Sequence, residues 1–171
     1  MLNEIITKER LKKFYDSSVC LKRLEKEVVA FENNFNALKA NNFTDVRVTS
    51  GSKKQSVEEM YVACLESKNK KLNELRNYVN SEYLIIKAQI DRVQNIDYKN
   101  ILTDRYLKLT DWKLITLEYF GNEKDFWVQR DFKYHFVVMT WHSRAVEYIE
   151  KISRQPFVPE ETDKQLTLGE V

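Results

Sequence analysis

Leu65, Leu72, Val79, Ile86 and Val93 recur at every seventh position. A seven-residue apolar repeat sustained this long places one stripe on a helix and demands a matching stripe from a partner helix. The preceding segment supplies one. Leu11, Phe14, Leu21, Leu24, Val28, Phe31, Phe35 and Leu38 recur mostly in steps of three and four, with Ser18 filling the one gap. Between the two patterns, residues 41–55 hold Asn41-Asn42, Ser50-Gly51-Ser52 and few large apolar residues. Residues 1–96 therefore predict a long antiparallel coiled-coil hairpin, with helices over about 3–40 and 56–94 and a connection over about 41–55. Ser56, with Glu59 three positions on, is the expected cap of the second helix. A hairpin of this kind is a spacer or a dimer handle, so recognition is expected in the aromatic-rich segment C-terminal to it.

Only three Gly and two Pro occur in 171 residues, and none lies between Ser52 and Phe120. So long a stretch without breakers favours helix, and the expected class is all-α. No apolar run approaches the ~20 residues that span a bilayer, and MLNEIITKERLKK lacks the basic-then-apolar plan of a signal peptide. Cys20 and Cys64 match no zinc spacing and read as reduced thiols of a cytoplasmic protein. The net charge is +2. From Asp97 to Arg154 ten Lys/Arg meet nine Asp/Glu, so bulk electrostatics do not mark a nucleic-acid binder.

Beyond the hairpin, Asp97 is the expected cap of a helix with Tyr98, Ile101, Leu102, Tyr106 and Leu107. Thr110 or Asp111 caps another, with Trp112, Ile115 and Tyr119, ending near Gly121. Phe126-Trp127-Val128 and the alternation Phe132, Tyr134, Phe136 leave 122–133 open between a short β insertion and a helical turn. A final helix over about 134–153 buries Val138, Trp141, Ala145, Tyr148, Ile149 and Ile152. After Pro156 the tail, 155–171, is acidic and expected to be disordered.

Ile101-Leu102-Thr103-Asp104-Arg105-Tyr106-Leu107, then Asp111-Trp112-Lys113-Leu114-Ile115, then His142-Ser143-Arg144-Ala145-Val146-Glu147-Tyr148-Ile149 come in that order after the long hairpin. This order resembles phage-encoded regulators of Gram-positive bacteria, relatives of the ArpU/RinA-type late-gene activators. The C-terminal part of that family is similar to the helix-turn-helix of sigma factor region 4. The resemblance covers Ser56 to Ile152. It implies a helix-turn-helix-like bundle over 97–154, DNA or RNA polymerase as partner, and the cytoplasm of a bacterial host. The chain also departs from the family. Roughly a dozen extra residues lie between Phe120 and Tyr134. Tyr134-His135-Phe136 stands where the family has the Ser-x-Arg that opens its reading helix, and Thr140 replaces a basic position. Aromatic residues there do not make the bidentate base contacts of Arg or Asn.

Eleven of the 21 aromatic residues lie between Tyr106 and Tyr148. Trp112, Tyr119, Trp141 and Tyr148 suffice for the core of a small bundle. Phe126, Trp127, Phe132 and Phe136 exceed that need and are the candidate partner-binding residues. Lys124, Arg130, Lys133, His142, Arg144 and Lys151 are the candidate phosphate contacts. His135 and His142 are seven apart with no further ligand in spacing, so no metal is expected. No catalytic motif is present and no enzyme or cofactor is expected. Gln165-Leu166-Thr167-Leu168 resembles the start of a sliding-clamp docking peptide, but Gly169 stands where the aromatic anchor belongs. The expected function is a phage or prophage regulator acting on transcription, as a homodimer. The alternative is an interaction factor that binds a host protein, such as a counter-defence factor.

Overall fold

The computed structural model describes residues 5–40 and 57–155, with side chains at 5–36 and 59–155. The expected connection at 41–55, the Ser56 cap and the tail peptide at 165–168 lie outside these residues. Every described element is helical. Helix α1 spans Lys8–Ala40 and α2 spans Val57–Asp91. The helix α3, Ile96–Leu102, runs directly into a π-helical turn at Thr103–Leu107. After α4, Trp112–Phe120, comes α5, Phe126–Gln129, a second π-helical turn at Arg130–Tyr134, and α6, His135–Ser153.

Thr7 starts α1 by accepting a hydrogen bond from the Arg10 N–H at 3.2 Å, a few residues later than the apolar pattern alone suggests. The chain before it is tied down elsewhere: the Ile6 N–H donates to Ser153 Oγ at 3.0 Å. Helix α3 is capped by Asn95, whose side chain accepts from the Tyr98 N–H at 3.0 Å. Asn95, not Asp97, is thus the cap, because only the residue before the first helical turn can reach its free N–H groups. Asp111 caps α4 through the Lys113 N–H at 2.8 Å.

Helices α1 and α2 run antiparallel. Arg10 pairs with Glu82 near one end, Arg76 with Glu25 further along, and Phe31 stacks on Tyr61 toward the other end. Leu72, Val79, Ile86 and Val93 are buried as the heptad demands, and Leu11, Phe14 and Val28 face them. Leu65, Phe31 and Phe35 are only half-buried. Two helices cover one another on a single side, and among the described residues no further element is packed over this part of the pair.

The base of the hairpin is different. Ile6, Leu11 and Phe14 share one apolar cluster with Val79, Ile86, Ile90 and Val93, and with Ile101, Leu102, Tyr106, Ile115, Val138, Ala145, Val146 and Ile149 from the later helices. One core thus crosses the position where the hairpin hands over to the bundle. Trp112, Tyr119, Trp141 and Tyr148 pack against this cluster, as their spacing suggests. Each fully buried Ile or Leu contributes about 1.5–3 kcal/mol, so the base, not the far end of the hairpin, carries most of the stability. Among the described residues no helix is long and apolar enough to cross a membrane.

Candidate partner interface

The segment 122–136 forms no strand. Glu123 donates its N–H to Phe120 O and Phe126 donates to Glu123 O, both at 3.0 Å, which winds the chain from α4 into α5. The alternation Phe132, Tyr134, Phe136 has a helical cause. Alternate residues of a strand share one face, whereas two residues turn an α-helix by about 200°, so Tyr134 points inward while Phe132 and Phe136 point outward. A π-helical turn closes i→i+5 bonds and holds one residue more per turn. Here the His135 N–H bonds to Arg130 O. The inward row is Phe126, Tyr134 and Val138, all buried. The outward row is Trp127, Val128, Phe132 and Phe136, which are 74%, 79%, 83% and 70% exposed.

Aromatic packing fixes the inward row. Phe126 lies 5.8 Å from the Tyr134 ring centre, Tyr134 lies 4.9 Å from Phe120, and Phe120 lies 5.6 Å from Trp141. The Tyr134 hydroxyl donates to Asp125, which also pairs with Lys133 at 3.1 Å. These two contacts hold the Asp125 carboxyl below the usual carboxylate range. The outward row is thereby held on a rigid support. Phe126 is wholly buried and belongs to the core, a correction to its place among the candidate contacts. Trp127, Phe132 and Phe136 are all exposed on this helical run.

Of the candidate phosphate contacts, two are taken up in ion pairs. Arg130 is paired with Asp131 at 3.0 Å and Lys133 with Asp125. Lys124, Arg144 and Lys151 are exposed. His142 is 8% exposed, with Nε2 2.9 Å from the Tyr106 hydroxyl and its ring edge-on to Trp112 at 4.7 Å. Burial first, and the Arg105 charge second, push its pKa down from 6.5 to about 4. A buried, neutral imidazole cannot meet a phosphate, so His142 is a core residue.

Two of the positions that carry the family resemblance are architectural in the same way. The Arg105 guanidinium lies between the rings of Tyr15 and Trp112, 3.8 and 4.4 Å from their centres, and donates to Thr110 O at 3.0 Å. It ties α1 to α4. Sequence reading missed this cluster, because Tyr15 is some ninety residues from its partners and no local spacing announces it. It also missed Asp104, buried against Lys108 at 2.7 Å and accepting from the Tyr119 hydroxyl at 3.4 Å. Among the described residues no group of three or more His, Cys, Asp or Glu could hold a metal ion.

The chain matches no family model, and comparison with curated proteins and with solved structures gives no match. The site stands on its own geometry.

Proposed function

We propose that this protein is a non-catalytic regulatory factor that acts by docking a partner protein on the outward stripe of Trp127, Val128, Phe132 and Phe136. The observation that carries this reading is the exposure of three aromatic rings along one helical run whose inner residues Phe126, Tyr134 and Val138 are buried. Exposed apolar patches rimmed by polar groups mark interaction sites, and aromatic residues dominate interface energetics. Under the phage-regulator resemblance the partner is a component of the bacterial host, with RNA polymerase one such component. Inhibition of another host protein uses the same surface. The second reading, direct DNA contact, draws support from Arg144 and Lys151, exposed and seven residues apart on one side of α6.

Capture from a nuclease-treated bacterial lysate tests the two readings together. Protein docking predicts that Trp127→Ala with Phe132→Ala abolishes capture of a specific partner, while Arg144→Ala with Lys151→Ala leaves it intact. DNA contact predicts the reverse dependence, with binding that is lost on nuclease treatment and falls steeply as salt rises.

A further inference from the structure

We infer that, in the absence of a partner, the same stripe docks on its counterpart in a second copy of this chain, forming a two-fold dimer that masks it. This regulation rests on the docking reading above. Three observations name the occupant. The first is area. Three aromatic side chains, each able to bury about 150–250 Å², stand 74%, 83% and 70% exposed beside Val128. Each copy thus offers roughly 500 Å² of apolar surface. Two copies together cover roughly 1,000 Å², the lower edge of specific interfaces. That area supports a weak, reversible dimer that a better-fitting partner displaces.

The second observation is charge. Between Asn122 and Phe136 the acids Glu123, Asp125 and Asp131 are matched by Lys124, Arg130 and Lys133. Two internal pairs, Arg130 with Asp131 and Lys133 with Asp125, leave this rim neutral. A partner of one sign gains nothing from such a rim. A second copy meets no net repulsion there, because a two-fold axis brings the same neutral rim onto itself.

The third is rigidity. The stripe lies on a continuous helical run whose inner face is held by Phe126, Tyr134 and Val138, so pairing requires no rearrangement of the fold.

Sedimentation velocity on the full chain, from low to high micromolar concentration, tests the pairing. The expected result is a monomer–dimer equilibrium. Trp127→Ser with Phe132→Ser should raise its dissociation constant roughly tenfold or more, with circular dichroism and melting unchanged. Hydroxyl-radical footprinting of the unmodified protein gives a second reading free of substitutions: oxidation of Trp127 and Phe132 should fall on concentrating, while oxidation of Met60 on the hairpin stays constant. A protein that stays monomeric throughout overturns the pairing and leaves partner docking to its own capture experiment. A dimer that persists in the stripe variant but is lost in Val29→Asp with Met60→Asp also overturns it, and assigns association to the hairpin.

Discussion

In the π-helical turn at Thr103–Leu107, Asp104 and Tyr106 face inward and are 4% and 6% exposed; in the turn at Arg130–Tyr134, Phe132 faces outward. The backbone device is the same. A residue is added to one helical turn, and the side chains around it are redistributed. What differs is the surroundings. Around the first turn, α1 contributes Tyr15, α4 contributes Trp112 and α6 contributes His142, so each polar group released there finds a partner. Around the second, only the inner side meets α4 and α6. The comparison shows that an inserted turn becomes core where other helices enclose it and becomes a display surface where they do not.

The strongest way to break this contrast is to truncate the inward Tyr106 of the first turn and Phe126, which packs beneath Tyr134 of the second. Tyr106→Ala and Phe126→Ala should each cost about 3–5 kcal/mol, lowering the melting temperature by roughly 10 °C or more for a chain of this size. Thermal melting by circular dichroism checks both. Similar melts for Phe126→Ala and the unmodified protein would erase the distinction between the inner and outer rows.

Acidification from pH 6.5 toward 4 tests the surroundings of the first turn through His142. His142 titrates near 4 in the folded protein and near 6.5 when unfolded. Between those values the unfolded chain binds a proton that the folded chain refuses. Stability from this group is therefore complete above pH 6.5 and declines as pH falls toward 4, by up to about 3 kcal/mol. His142→Phe should flatten that part of the urea-denaturation profile while lowering its plateau through loss of the Tyr106 contact. An unchanged slope would mean that His142 is not buried as described. Arg105→Ala removes a charged hydrogen bond and two ring contacts and should cost about 2 kcal/mol, read from the urea midpoint.

The buried stripe of the second long helix was legible because its signal is repeated. Leu72, Val79, Ile86 and Val93 are four instances of one rule, and an error in any one of them would leave the pattern intact. The candidate site was legible only in part. Trp127, Phe132 and Phe136 stood out as aromatic residues in excess of a small core, and they are exposed. Phe126 and His142 were not separable from their neighbours, because their burial depends on rings that arrive from other helices rather than on local spacing. The π-helical turns left no sequence mark. Three aromatic residues at alternate positions suggest the shared face of a strand, and only the buried Tyr134 between exposed Phe132 and Phe136 reveals the helical rotation.

The smallest stability effect belongs to the outer row. Trp127→Ala and Phe132→Ala should each change stability by no more than about 0.5 kcal/mol, a change visible only in careful melts. That small effect is the decisive one when paired with binding. The central measurement is Trp127→Ala, read by thermal melting and by capture of the nuclease-resistant partner. The account predicts an unchanged melt and lost capture. A melt lowered by several degrees, with capture reduced only in proportion to unfolding, would contradict it and return Trp127 to the core.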